Sequence, residues 1–133
     1  MINTETQVVN WPEESGTYKV VQLDVDGQPY LRFQPGKDRE YHSSILRTFL
    51  TDNKIDFRET LEPLGAPIPE LKGERYTVRG MGKERVDVGQ KIAAFSGVSA
   101  DYEIGINEAH LDSLRPLVPG WGIDREQGSG RLR

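Results

Sequence analysis

Hydrophobic and polar positions change rhythm several times along the chain, and each rhythm predicts an element. From residue 18 to 33 the chain is rich in β-branched and aromatic residues, broken once by Asp26-Gly27. That dipeptide tolerates the positive φ angles of a tight hairpin turn, so two antiparallel strands are expected. After Gln34-Pro35-Gly36-Lys37, residues 41–54 place Ile45, Leu46, Phe49 and Leu50 at helical spacing, which predicts an amphipathic helix. Ile55, Phe57 and Leu61 alternate as in a strand, and residues 63–73 hold too many breakers for regular structure.

Residues 75–79 read as a strand that ends at Gly80-Met81-Gly82-Lys83. Ile92 and Phe95 suggest a short helix over 88–95, stopped by Gly97. Tyr102, Ile104 and Ile106 alternate with polar residues or glycine, a strand signature. Asn107 reads as the N-cap of a helix running to Leu114 and halted by Pro116. The fold class expected is α/β in the broad sense (α+β): a single mixed, largely antiparallel sheet flanked by two helices, with an added C-terminal segment. Residues 1–16 form a lead-in with Trp11 packing on the body, 17–116 the single domain, and 117–133 a tail with a mobile end.

Composition narrows the function classes. The 133 residues (15.0 kDa) are 35% hydrophobic and 29% charged, in the range of one globular domain. Seventeen basic against 21 acidic residues give a net charge of -4, which disfavours a nucleic-acid partner. No apolar run approaches the roughly 20 residues of a membrane span, so no membrane partner is expected and a cytoplasmic location is. The absence of cysteine removes thiolate nucleophiles and thiolate metal sites. With two histidines and no H-E-x-x-H or P-loop motif, neither a metal site nor a nucleotide cofactor is expected.

His42 falls at the junction between the broken segment and the first helix, where N–H groups without intrahelical partners attract anions. Tyr41, Arg39, Lys37 and Arg32 lie close by in sequence, enough cationic charge to neutralise a phosphate. The plainer reading of His42 is a capping or surface residue. Gly80, Met81, Gly82 and Lys83 could form a loop whose N–H groups cradle an oxyanion, or a simple strand-end turn. His110 reads as an ordinary, partly exposed residue, and Glu59, Glu62, Glu70 and Glu74 as a solvated acidic face.

The order of elements and the Glu40-Tyr41-His42 segment together resemble the janus/ocnus family, best known for small protein phosphohistidine phosphatases. The likeness covers roughly residues 16–106. It includes Lys19 in Gly16-Thr17-Tyr18-Lys19, Arg32 before Glu40-Tyr41-His42, the 76–83 strand and loop, Lys91-Ile92 in a helix, and Asp101-Tyr102-Glu103-Ile104. The chain departs from the family pattern where Gly82-Lys83-Glu84-Arg85 replaces a longer loop carrying serine and histidine, and where Gly65-Ala66-Pro67 stands in place of an arginine.

The resemblance implies a monomeric, metal-independent phosphatase acting on a phosphohistidine-containing protein. In that picture His42 is the general base or the nucleophile, and Lys19, Arg32, Tyr41 and residues 80–83 bind the phosphate. The altered loop leaves open a non-catalytic module that binds phosphate or a phosphoprotein. A third reading is an interaction domain using Trp121 and the Gly-rich basic tail.

Overall fold

The computed structural model describes residues 7–34, 41–60, 67–99 and 102–125. Strand β1 (Gly16–Val25) turns at Asp26-Gly27 into β2 (Gln28–Phe33), with both turn residues at positive φ, 51° and 83°. Helix α1 (His42–Asp52) follows, then the short β3 (Glu59–Thr60) and β4 (Ile68–Pro69), which pair with each other. The long β5 (Tyr76–Asp87) turns into β6 (Ile92–Ser96). A second small pair, β7 (Val98–Ser99) and β8 (Ile104–Gly105), leads to helix α2 (Glu108–Leu114), one 3-10 turn (Arg115–Leu117) and β9 (Gly122–Arg125).

The main sheet has the order β2-β1-β5-β6-β9 and is antiparallel except for the β6–β9 seam. This is the expected mixed α+β fold: a curled, mostly antiparallel sheet with two helices. Its two faces follow from strand alternation. One face of β1 carries Val21, Leu23 and Val25, which join Ile45, Leu46, Phe49 and Leu50 of α1 with Met81 and Val78 of β5. The opposite face carries Tyr18 and Val20, packed with Leu31, Phe33, Phe95, Leu111, Leu114 and Ile123. Trp11 stacks on Trp121, centroids 3.7 Å apart and planes 5° from parallel, and also leans on Phe33. The expected packing of Trp11 on the body is therefore present.

Three sequence expectations are corrected. Residues 88–95 do not form a helix: residues 88–91 make the turn, with Lys91 at φ 57° and the Asp87 carboxylate accepting from the Gln90 N–H, and Ile92 begins β6. In that strand Ala93 and Phe95 are buried while Ile92 is exposed, a period of two. The segment after residue 116 is not simply a tail, since β9 completes the sheet beside β6. And residues 80–83 are not a loop. Both glycines stand in the middle of β5, because the 105–107 segment crosses the strand there in close contact. A Cβ on Gly80 would lie 2.6 Å from the Gly105 carbonyl oxygen and 2.9 Å from the Asn107 nitrogen; one on Gly82 would lie 2.8 Å from Ile106 Cδ1. Real Cβ atoms do not come so near, so only glycine lets the two backbones approach.

Of the strands expected around 55–61 and 101–106, the structure holds β3 and β8; residues 61–66 and 100–101 lie outside the described residues. So do Lys37, Arg39, Glu40 and the end of the chain from residue 126, including its expected mobility.

Candidate functional site

Helix α1 begins at His42, as anticipated. Its N-cap is Tyr41, extended at φ -99° and ψ 152°, and no side chain caps the first turn, which also lacks an acidic residue. Ser44 and Ile45 N–H both donate to the Tyr41 carbonyl. A helix start of this kind has positive character, and no acidic residue of its own first turn offsets it.

His42 itself is buried, with 5% exposure. Its Nε2–H donates to the Gly82 carbonyl oxygen at 2.9 Å. Because a carbonyl can only accept, this contact assigns the proton to Nε2 and leaves Nδ1 as the basic nitrogen of the neutral ring. The bulge in β5 matters here. Register shifts between Gln22 and Leu23, leaving Arg79 unpaired, so that Met81 and Lys83 share the α1 face with Val21 and Lys19.

Lys19 and Lys83 are direct register partners across β1 and β5. Lys19 Nζ also lies 5.4 Å from the centre of the Tyr41 ring, within cation–π range. His42, Tyr41, Lys19, Gly82 and Lys83 are thus gathered at the N-terminus of α1. Met81 is fully buried beneath α1 and supplies packing, and Gly80 turns toward the opposite face. The backbone N–H groups of this stretch belong to a ladder strand, not to a loop opened around an anion.

Arg32 takes another part. It is 9% exposed, and its guanidinium donates to the carbonyls of Gln7 at 2.5 Å, Val8 at 3.2 Å and Leu31 at 2.7 Å. The group lies 4.6 Å from the centre of the Phe49 ring. Phe49 is seven residues along α1 from His42, about 10 Å of helix rise. Burial lowers the Arg32 pKa to about 10. The residue straps the 7–9 segment over the β2 edge, where Val9 bridges Leu31, and is not directed at the His42 site.

His110 corrects the expectation of partial exposure. It is 4% exposed, accepts at Nδ1 from Gln22 Nε2 (3.3 Å), and donates from Nε2 to the Leu23 carbonyl (3.1 Å). Gln22, wholly buried, also donates to the Asn107 carbonyl and accepts from the Asn107 N–H. Asn107 caps α2 as anticipated, its side chain accepting from His110 N–H. Burial lowers the His110 pKa, opposed by the bond to Leu23 and the nearby Asp24 carboxylate. This network anchors α2 to the β1–β5 bulge and shows no nucleophile among its members.

Glu84 is the residue that sequence reasoning missed. It stands between Tyr18 of β1 and Phe95 of β6, wholly buried, and neither carboxyl oxygen has a hydrogen-bond partner. Burial raises its pKa well above the ordinary carboxylate value. Its sequence signal was only the alternation Glu84-x-Val86 on the inward face of β5.

A cleft of about 490 Å3 lies beyond the far end of α1, lined among others by Lys54, Phe57, Arg58, Lys72 and Arg75, and is separate from His42. Among the described residues, no three His, Asp or Glu side chains converge as a metal-ligand set, and no helix is long and apolar enough to cross a membrane. No protein-family model matches the chain, and no curated protein matches it significantly.

Proposed function

We propose that the chain is a phosphohistidine phosphatase, hydrolysing the P–N bond of a phosphorylated histidine in a partner protein without a metal ion. The observation that carries this reading is His42 at the uncapped start of α1, its Nε2–H held by Gly82, beside the Lys19–Lys83 pair. A phosphoryl group placed there meets helix N–H groups and two ammonium side chains, which stabilise its charge.

The basic Nδ1 then has two courses. As nucleophile it forms a P–Nδ1 bond while the P–N bond to the substrate imidazole breaks; the leaving nitrogen takes a proton, and water later cleaves P–Nδ1 to release inorganic phosphate. As general base it removes a proton from a water that attacks phosphorus directly. In both, the labile bond leaves positioning and charge stabilisation as the main tasks of the protein. The likeness to the janus/ocnus family in Lys19 and in the Tyr41-His42 segment supports the same assignment.

A second reading has its own observation. Gly80 to Lys83 lie within a strand of the sheet, so they do not form the loop that the phosphatase pattern uses as an oxyanion cradle. On this reading the site binds a phosphorylated partner without turnover. Dephosphorylation of a phosphohistidine-bearing protein under EDTA, by wild type and by His42→Ala, separates the two. Turnover by wild type alone establishes the enzyme. No turnover, with phosphate shifting the His42 resonances, establishes the binding module.

A further inference from the structure

Gln22 lies at the centre of β1 among Val20, Val21, Leu23 and Val25, all wholly buried. It is wholly buried itself, and a carboxamide in such a place is costly unless its polar atoms are bonded. Two of the bonds come from one residue 85 positions along the chain: Oε1 accepts from the Asn107 N–H at 2.8 Å, and Nε2 donates to the Asn107 carbonyl at 3.0 Å. The second proton of Nε2 goes to His110 Nδ1 at 3.3 Å. A reversed amide would set Nε2 against the Asn107 N–H and Oε1 against the Asn107 carbonyl, so the orientation is unique. The side chain thus pairs with a backbone residue as a neighbouring strand would.

This clamp acts on the bulge in β5. There Gln22 faces Gly80 in register and Arg79 is the extra residue. The Asn107 carboxamide donates to the Arg79 carbonyl at 3.2 Å, so the residue that Gln22 holds satisfies the bulged backbone in turn. Ile106, next to Asn107, lies against Gly82, where an added Cβ would come 2.8 Å from Ile106 Cδ1. The carbonyl of that same Gly82 accepts from His42 Nε2 at 2.9 Å. Gln22, Asn107, Ile106, Gly82 and His42 are therefore linked in series by bonds and close packing.

We infer that Gln22 is a positioning residue for His42. Through Asn107 and Ile106 it fixes where the Gly82 carbonyl stands, and that carbonyl fixes the plane and the tautomer of the His42 ring. Gln22 does this from the face of the sheet opposite α1, since Val21 and Leu23 on either side of it pack against the helix. The inference rests on the phosphohistidine reading of the His42 site for the reaction that the ring performs. A displaced acceptor lets the ring turn, and a misplacement of about 1 Å is enough to slow a reaction by about 100-fold.

The test uses the full chain with 15N-labelled histidine. The protein has two histidines, so NMR follows each ring separately. In wild type the His42 ring is expected as the Nε2–H tautomer. Gln22→Met keeps the length of the side chain and loses its bonds to Asn107; Gln22→Glu keeps an oxygen that accepts from the Asn107 N–H. Val25→Ala, at the far end of β1 beside the hairpin turn, controls for lost stability alone. Circular dichroism verifies that each variant folds.

Gln22→Met is expected to turn the His42 signals into a mixture of tautomers. It should also lower kcat on a histidine-phosphorylated peptide by about 10- to 100-fold, with KM within about twofold of wild type. Gln22→Glu should do the same to a smaller extent, and Val25→Ala should leave tautomer and kcat as in wild type. A wild-type His42 pattern in a folded Gln22 variant, the same change in Val25→Ala, or failure of both Gln22 variants to fold overturns the positioning role. Absence of hydrolysis by wild type refutes the phosphatase alone, because the His42 signals still decide for or against Gln22.

Discussion

His42 and Gly82 are joined by a hydrogen bond that runs from an imidazole Nε2–H at the first residue of α1 to a backbone carbonyl in the centre of β5. The contact ties the start of the helix to the strand where β1 and β5 bring Lys19 and Lys83 side by side. The orientation of the His42 ring is thereby fixed by the sheet itself.

Replacing His42 tests that aim. His42→Ala is expected to lower phosphohistidine hydrolysis by about 10²- to 10⁴-fold, the range for a lost acid–base or nucleophilic group. His42→Gln retains a donor for Gly82 and should preserve the fold while remaining as inactive as His42→Ala. Steady-state kinetics together with urea unfolding of both variants distinguish lost chemistry from lost structure.

The glycines of β5 predict a second outcome. Gly80→Ala and Gly82→Ala force a methyl group into the crossing 105–107 segment and should each destabilise the fold by about 1–3 kcal/mol. Gly89→Ala, in a turn where an added Cβ meets only the Asp87 carboxylate at 3.5 Å, is the contrasting control. A phosphate-loop role would instead show as weakened phosphate binding at unchanged stability, which chemical denaturation and phosphate titration would reveal.

Glu84 gives stability a slope on the alkaline side. Its folded-state pKa is raised by burial, so above the ordinary carboxylate pKa the folded protein holds a proton that the unfolded chain has released. Stability therefore falls as pH rises through the range between the two values, by at most about 1.4 kcal/mol per pH unit. Glu84→Gln should be more stable than wild type at neutral pH and should flatten that slope. Urea melts between pH 4.5 and 8 measure both effects; parallel curves for the two proteins would refute the assignment.

His110 acts in the opposite direction. Its folded-state pKa is lowered, so the unfolded chain takes up a proton first as pH falls below the ordinary histidine range, and stability is lost as pH drops toward the folded value. His110→Leu should remove this acid-side loss. It also leaves Gln22 Nε2 and the Leu23 carbonyl short of a partner, at a cost of about 1–3 kcal/mol near neutral pH. Thermal melts at pH 5 and pH 7.5 would show a smaller difference in the variant than in wild type.

Features readable from the sequence share a local cause. Asp26-Gly27 announces its turn because positive φ is needed at those two positions, and Asn107 announces α2 because its carboxamide reaches a nitrogen three residues on. The α1 stripe and His42 at its head are equally local. What escaped depends on partners far along the chain. Gln22 and His110 meet across 88 positions, and the glycines of β5 are explained by residues 105–107, so neither neighbourhood advertises its role. Ile92 and Phe95 fit a helical interval as well as they fit a strand, and only the pairing of β6 with β5 and β9 decides between them. Arg32 was legible as a cation near His42, yet the carbonyls of residues 7, 8 and 31 claim its donors.

The Trp11–Trp121 stack joins the first and last described segments, so it closes a loop that spans nearly all the described residues. Closing so long a loop is entropically costly, which favours formation of the β1–β2 hairpin before the stack. Until β9 pairs with it, β6 presents an unpaired edge, along which a partly folded chain is open to self-association at Ile92–Ser96. The two tryptophans are the only ones in the protein, so their fluorescence follows the formation of the stack directly.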